Sequence, residues 1–343
     1  MPPDKLRSRL LALVDRFAGQ RVAVAGDFVL DRFVHGVPKR ISREAPVLIL
    51  KYVKEENVLG GGANTVANIA SLGGVARPAG AIGGPEGRTL ASLFEAAGVE
   101  TDLLLAVEGF STPTKTRILG GGRHSIRQQV VRIDREESLS DDAATRDALA
   151  ARVRRAAAGA AVVVLSDYGY GSSRPEWIAE IRAGAPRARV LVDSRFRLEE
   201  YAGADAATPN EEELERAGGV AFGEGEKAFE TAGRSLRERM AIPSLLVTRG
   251  SRGMALFRGG MPTLSIPVSG GSQVADVTGA GDTVIATFAL ALAAGGSDEE
   301  AALLSNFAGG IVVMKMGTAT ATPDELRNAI ELDRAILDRI PAS

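Results

Sequence analysis

Short, unbroken apolar runs alternate along this chain with longer stretches in which apolar residues recur every three or four positions. Arg21 to Ala25, Ala161 to Leu165, Val190 to Val192 and Leu245 to Val247 are runs of mostly valine, leucine and alanine. Continuous runs of this kind predict parallel strands buried on both faces, because a half-exposed strand would alternate apolar with polar residues. Each run closes on polar or glycine residues: Gly26-Asp27, Ser166-Asp167, Asp193, and Thr248-Arg249-Gly250. Helical spacing predicts helices over 63–72, 90–97, 141–157, 175–182, 227–240, 281–294, 298–314 and 323–340, and another opens at Thr208-Pro209-Asn210. Repeated strand–helix units predict an α/β fold with a mostly parallel sheet and helices on both faces. Ligands of such sheets sit at the carboxyl ends of the strands. Asp27, Asp167, Asp193 and Thr248 fall there.

Two segments lack helical periodicity. Phe33 to Val58 and Thr112 to Ile133 carry β-branched runs such as Val47-Leu48-Ile49-Leu50 and Gln129-Val130-Val131-Arg132-Ile133. They predict a small second sheet, serving as a lid over the site, a dimer surface, or both. Gly120-Gly121-Gly122 predicts a hairpin turn within it. The expected division is a main domain of residues 1–32, 59–111 and 134–343, with a lid of 33–58 and 112–133.

At 343 residues, 45% hydrophobic and 24% charged, the chain has the composition of a globular protein. A net charge of −2 argues against a nucleic-acid partner. With no cysteine and only His35 and His124, thiolate chemistry, Cys-ligated zinc and a histidine-rich metal site are excluded. The stretch Met1 to Arg16 is charged and helix-like rather than a signal peptide. No apolar run approaches the roughly 20 residues that span a bilayer. The expectation is a cytoplasmic protein without a membrane partner.

The chemistry centres on Asp276-Val277-Thr278-Gly279-Ala280-Gly281-Asp282-Thr283, a glycine turn leading into an apolar helix. The bare N–H groups there, at the positive end of a helix, suit an anion such as phosphate. A carboxylate beside them repels that anion, so Asp282 makes chemical sense as a base for a hydroxyl attacking the phosphate. The plain alternative is a helix start, with Asp276 or Thr278 as N-cap. Gly60-Gly61-Gly62-Ala63-Asn64 opens another helix, where Gly61 and Gly62 permit close approach of a ligand and Asn64 offers a donor and an acceptor. Asp27 and Asp31 are candidates to grip sugar hydroxyls. Asn210 and Glu213 form a capping box and are candidates to organise magnesium and its waters near ATP. Thr248, Gly250 and Gly253 belong either to a plain hairpin turn or to a nucleotide floor. Of the basic lid residues Lys115, Arg117, Arg123, Arg127, Arg132 and Arg135, several are expected to be merely solvated, and one or two are candidates to clamp a phosphate on the substrate. Asp193, at the carboxyl end of its strand, joins the candidate substrate set. No Walker A and no protein-kinase catalytic loop occurs.

In this order the motifs resemble the ribokinase-like (PfkB) carbohydrate kinases over about residues 20 to 325. Gly61 to Asn64 is similar to that family's N-terminal signature, and Asp276 to Asp282 to its C-terminal one. The resemblance implies a three-layer sandwich with a β-sheet lid, ATP and Mg2+ as cofactors, and Asp282 as base. The amides of Gly279, Ala280 and Gly281 would form the anion hole. Asn306 would lie near the adenine, and Asp276 and Thr278 near a monovalent-cation (K+) site. Within the family, Arg40 to Val47, Gly61 to Gly73, Leu165 to Tyr168 and Asp276 to Ile285 resemble the kinases of D-glycero-β-D-manno-heptose 7-phosphate. That implies phosphorylation of the anomeric hydroxyl to the 1,7-bisphosphate by a homodimer joined through its lids. The nucleotidyltransferase often fused to such kinases is not expected here. Two positions depart from the pattern: Tyr170, where a lysine is usual, and Ser194-Arg195, where Pro-Lys is usual, so that the resemblance makes Arg195 a candidate substrate-binding residue in place of the lysine. Gly120 to Ser125 resembles a lengthened lid turn. Two alternatives remain: another sugar or nucleoside kinase, such as a ribokinase, fructokinase or adenosine kinase, or a non-catalytic nucleotide- or sugar-binding regulator. A dehydrogenase reading fails, since Gly26 is followed by Asp27 and no Gly-x-Gly-x-x-Gly follows the first strand.

Overall fold

A computed structural model describes residues 2–122, 128–219, 221, 223, 225–271 and 274–340. Among these residues the strands in chain order are β1 (Arg21–Gly26), β2 (Phe28–Ile41), β3 (Leu48–Gly61), β4 (Val75–Ile82), β5 (Leu104–Ala106), β6 (Thr114–Gly120), β7 (Gln128–Arg135), β8 (Val162–Asp167), β9 (Arg189–Ser194), β10 (Ala206–Ala207), β11 (Ser244–Thr248), β12 (Met254–Arg258) and β13 (Leu264–Ile266). The helices are α1 (Pro3–Asp15), α2 (Gly62–Ser71), α3 (Gly84–Ala96), α4 (Ala143–Ala157), α5 (Trp177–Gly184), α6 (Glu211–Gly218), α7 (Glu226–Arg239), α8 (Ala280–Ala293), α9 (Asp298–Val312), α10 (Pro323–Leu332) and α11 (Arg334–Asp338).

Nine strands form one sheet in the order β13-β12-β11-β10-β9-β8-β1-β4-β5. β5 through β11 in that order run parallel, and β12 and β13 add an antiparallel edge. The continuous apolar runs explain why helices cover both faces. Val22, Val24, Val162 and Val164 point into one core, with Leu10, Leu13, Phe288 and Phe307. Ala23, Ala25, Val163 and Leu165 point into the other, with Leu149, Trp177, Phe229 and Leu236. Alternate residues of one strand thus feed two separate cores. No helix among the described residues is long and apolar enough to cross a membrane.

The second sheet has four strands in the order β3-β2-β6-β7. β2 begins at Phe28, directly after β1, so the polypeptide passes from the large sheet into the small one at Asp27. The small sheet therefore reaches further toward the main body than residues 33–58 and 112–133. Gly120 closes β6, and the Gly121 N–H donates to the Gly36 carbonyl (3.2 Å). Arg123, Ser125 and Arg127 lie outside the described residues. The helix expected over 323–340 is instead two helices. Asp333 leaves the helical region (φ −104°, ψ 52°), and its Oδ2 accepts from Ser269 Oγ (3.2 Å) and the Gly270 N–H (3.4 Å).

Candidate active site

Asp282 sits in the first turn of α8, buried with 3% of its surface exposed. Two donors fix its carboxylate. Asn64 Nδ2, from the start of α2, donates to Oδ2 (3.0 Å), and the Tyr168 hydroxyl, from the loop after β8, donates to Oδ1 (2.8 Å). Asn64 Oδ1 accepts from Asn68 Nδ2 (3.1 Å), and Asn68 Oδ1 accepts from Thr283 Oγ1 (3.0 Å), so buried amides zip α2 to α8. Burial raises the Asp282 carboxyl to about 7, against the opposing pull of the hydrogen bonds from Asn64 and Tyr168. Burial and the nearby Asp282 and Asp193 hold the Tyr168 hydroxyl well above its usual value, which keeps it protonated as a donor. The sequence reading did not single out Tyr168 as a site residue. Its position just past the strand ending in Ser166-Asp167 was the available signal.

Gly279 is the residue before α8 and adopts the left-handed conformation (φ 79°). The N–H groups of Gly279, Gly281 and Asp282 meet no acceptor among the described residues, whereas the Ala280 N–H turns back to the Val277 carbonyl (3.2 Å). The Ala280 amide, expected in the anion hole, is thus part of the turn itself. The open amides face a cleft of about 770 Å³ lined also by Asp193, Asn210, Thr248, Asn306 and Asp282.

At the far end of this cleft Thr248 ends β11 and bridges to Asn210. Asn306 Nδ2 donates to the Pro267 carbonyl (2.9 Å), bracing the loop after β13. A Cβ on Gly253 would lie 2.1 Å from the Ile266 carbonyl oxygen, so packing of β12 on β13 suffices to explain that glycine. Gly250 lines the cleft with open space beside it. Arg249, named above only as part of its turn and not as a site residue, is buried. It donates to Glu211 (2.9 Å) and by both terminal nitrogens to Glu226 (2.8 and 2.7 Å), and lies 3.7 Å from the Phe229 ring centre. It fastens the loop to α6 and α7.

Asn210 caps α6. Its Oδ1 accepts from the Glu213 N–H (2.8 Å), and Glu213 Oε2 accepts from the Asn210 N–H (2.9 Å). Burial raises the Glu213 carboxyl, and burial with the nearby Glu213 and Asp282 raises Asp193 well above the usual range. Among the described residues no three acidic or histidine side chains converge closely enough to hold a metal directly. Asp276 Oδ1 accepts from the N–H (2.9 Å) and hydroxyl (2.7 Å) of Thr278, and Oδ2 accepts from the Gly317 N–H (3.0 Å). Both side chains staple their own turn. A monovalent cation there would have to rely on carbonyl oxygens.

On the lid side Asp31 is buried, bonded to Arg117 (2.5 Å) and to the Thr318 hydroxyl (3.2 Å). Lys115, two residues before Arg117 on β6, places its ammonium 6.0 Å from the Tyr168 ring centre. Burial and the nearby Arg195 push the Lys115 pKa down. Arg132 pairs with Asp134 (2.9 Å) and Arg135 with Glu86 (3.0 Å). Two expectations need correction. Asp27 does not present its carboxylate to a sugar: Oδ2 accepts the N–H groups of Tyr168 and Tyr170 (both 2.9 Å) and Oδ1 that of Ser172 (2.8 Å). It shapes the loop that carries Tyr168. The Gly62 N–H is likewise engaged, with the Asp27 carbonyl (3.1 Å). Gly61 (φ 54°) lies against the Tyr168 ring, which a Cβ would approach to 3.2 Å.

Comparison with known proteins bears on the family and the fold. "Bifunctional protein HldE" of Azotobacter vinelandii is 43% identical over 321 residues, covering 93% of this chain and 65% of that protein. Its namesake from Mesorhizobium japonicum is 42% identical over 325 residues, covering 92% and 63%. The chain thus spans a little under two thirds of these relatives. Ribokinase of Arabidopsis thaliana, solved with ribose and ATP, shares the fold with a TM-score of 0.70 at 22% identity, covering 92% of this chain and all of that one. Phosphofructokinase-2 of Escherichia coli does so with a TM-score of 0.74 at 20% identity, covering 93% and all of it. Residues 21–325 match the pfkB family of carbohydrate kinases, and the chain belongs to that family of phosphotransferases acting on a sugar hydroxyl.

Proposed function

We propose that this chain transfers the γ-phosphoryl group of ATP to the anomeric hydroxyl of D-glycero-D-manno-heptose 7-phosphate, giving the 1,7-bisphosphate. The observation that carries the reading is one aromatic ring. Tyr168 bonds the candidate base Asp282 through its hydroxyl and lies under the Lys115 ammonium, with Arg195 close by. A sugar spanning that ring would meet a base at one end and two cations at the other. That arrangement suits a substrate already carrying a phosphate.

ATP would lie along the strand ends, its base toward Asn306 and Gly253 and its phosphates toward Gly279 and Gly281. Asp282 takes the proton of the attacking hydroxyl as it reaches the γ-phosphorus, and the open amides receive the developing charge on the transferred group. Asn64 and Tyr168 aim the carboxylate, while Asp31 and Arg117 line the sugar side. Asp193 and Glu213, whose crowded carboxyls resist ionising together, fit a magnesium ion held through water. When bound, that ion supplies charge neutralisation on the ATP phosphates. Closure of the small sheet would exclude water that otherwise accepts the phosphoryl group.

The test is ADP release over a panel of sugars and sugar phosphates, with the product identified by phosphorus NMR. Heptose 7-phosphate is expected to give the highest kcat/KM. Equal or greater turnover on ribose, fructose or adenosine removes the substrate assignment, and ATP binding without ADP release on any sugar removes the catalytic one. Asp282→Asn is expected to bind ATP with near wild-type affinity and to lose at least ~10²-fold in kcat.

A further inference from the structure

Glu136 follows β7 at the edge of the small sheet. Its Oε1 accepts a 2.6 Å hydrogen bond from the Tyr170 hydroxyl and lies 4.0 Å from Lys115 Nζ. Tyr170 belongs to the main body, where its N–H is anchored on buried Asp27 and its side chain is largely buried. Lys115 belongs to the small sheet, with Arg195 near enough to repel it. Among the described residues neither cation has a carboxylate within hydrogen-bonding distance; Glu136 is the nearest to Lys115. The contact is too long for a tight ion pair, yet it sits on the cation expected to take the substrate's phosphate.

We infer that Glu136 is a tethered stand-in for that phosphate, held over Lys115 by Tyr170, and that an incoming sugar phosphate must displace it. This rests on the phosphate placement proposed above. A carboxylate at that distance offsets part of the repulsion between Lys115 and Arg195. It yields to a phosphate dianion, which carries up to twice the charge and three acceptor oxygens. A neutral sugar cannot displace it. Glu136 and Tyr170 therefore set selectivity for phosphorylated sugars without touching the reacting atoms, as positioning residues.

The test is calorimetric titration of the full chain with inorganic phosphate, comparing wild type with Glu136→Gln, Tyr170→Phe, the double variant and Lys115→Met. Glu136→Gln is expected to bind phosphate tighter, on the order of tenfold, since a competing charge is removed at constant shape. Tyr170→Phe should move the same way by less, and the double variant should match Glu136→Gln, because the hydroxyl acts only through the carboxylate. Lys115→Met should abolish binding. If Lys115→Met abolishes binding and Glu136→Gln leaves it unchanged or weaker, this inference alone falls. If Lys115→Met binds phosphate like wild type, the phosphate placement falls with it.

Discussion

At the scale of single residues, the decisive balance is that around Asp282. Burial lifts its carboxyl to about 7, and the hydrogen bonds from Asn64 and Tyr168 keep it from rising further. A base titrating near neutrality matches a proton acceptor working at physiological pH. Tyr168→Phe removes one stabiliser of the ionised form, so its pKa must rise. The acid limb of the kcat/KM–pH profile is expected to move to higher pH, with activity at pH 6 falling more than at pH 9. An unshifted limb would show that the phenol does not tune the base. Stability runs in the opposite sense. The folded pKa lies above the ordinary aspartate value, so the folded state binds the proton more tightly than the unfolded one. That contribution is present below about pH 4 and is lost as pH rises through about 7. Thermal melts should therefore show the Tm of Asp282→Asn, relative to wild type, increasing between pH 4 and pH 8.

At the scale of elements, the start of α8 separates two roles that glycine can play. A Cβ on Gly279 would lie 2.5 Å from Asn64 Nδ2 and 2.8 Å from Thr318 Cγ2, at a φ that costs an L-residue about 1–2 kcal/mol. At Gly281 a Cβ would meet no atom within 4 Å. Gly279→Ala is expected to lower the Tm and to disturb the Asn64–Asp282 bond, losing turnover. Gly281→Ala is expected to melt like wild type yet to lose turnover, because its methyl occupies space the phosphoryl group needs. Wild-type turnover in Gly281→Ala would take the transferred group away from this turn. Elements with one dominant signal were legible in the sequence: the valine runs of β1 and β8, the apolar α8, and the Asn210 cap of α6. β4 was not, because Pro78 and Gly80 make Val75 to Ile82 look like a loop. In the fold Gly80 lets that strand close on β1, since its Cβ would lie 2.4 Å from the Gly26 carbonyl. In the site, Asp282 and Asn64 stood out by motif, and their direct bond depends on α2 and α8 meeting across more than 200 residues. Asp27 misled for the converse reason: an acid at a strand end looks the same whether it faces a ligand or, as here, three backbone N–H groups of its own fold.

At the scale of the whole molecule, the small sheet is the part the fold leaves least explained. Its Lys115 stands against Tyr168 of the main body, but Ile41, Val47, Tyr52 and Val53 on and beside β2 and β3, and Val130, Val131 and Ile133 on β7, are exposed. Apolar side chains exposed on a sheet with two open edges are a liability in an isolated protein and make a surface that a second chain would cover. A second copy presenting its own small sheet is the occupant that the homodimer expectation supplies. Sedimentation at micromolar concentration is expected to give twice the 35.8 kDa chain mass. Tyr52→Lys combined with Ile133→Lys, both at exposed positions, should return the monomer without lowering the Tm of the main body. If the small sheet is held in its working position by its twin, the monomeric variant will also show a raised KM for sugar with little change for ATP, because Lys115 and Arg117 ride on that sheet while Asn210, Thr248 and Asn306 do not. A wild-type chain that sediments as a monomer, with full activity, would leave these exposed apolar side chains to some other role.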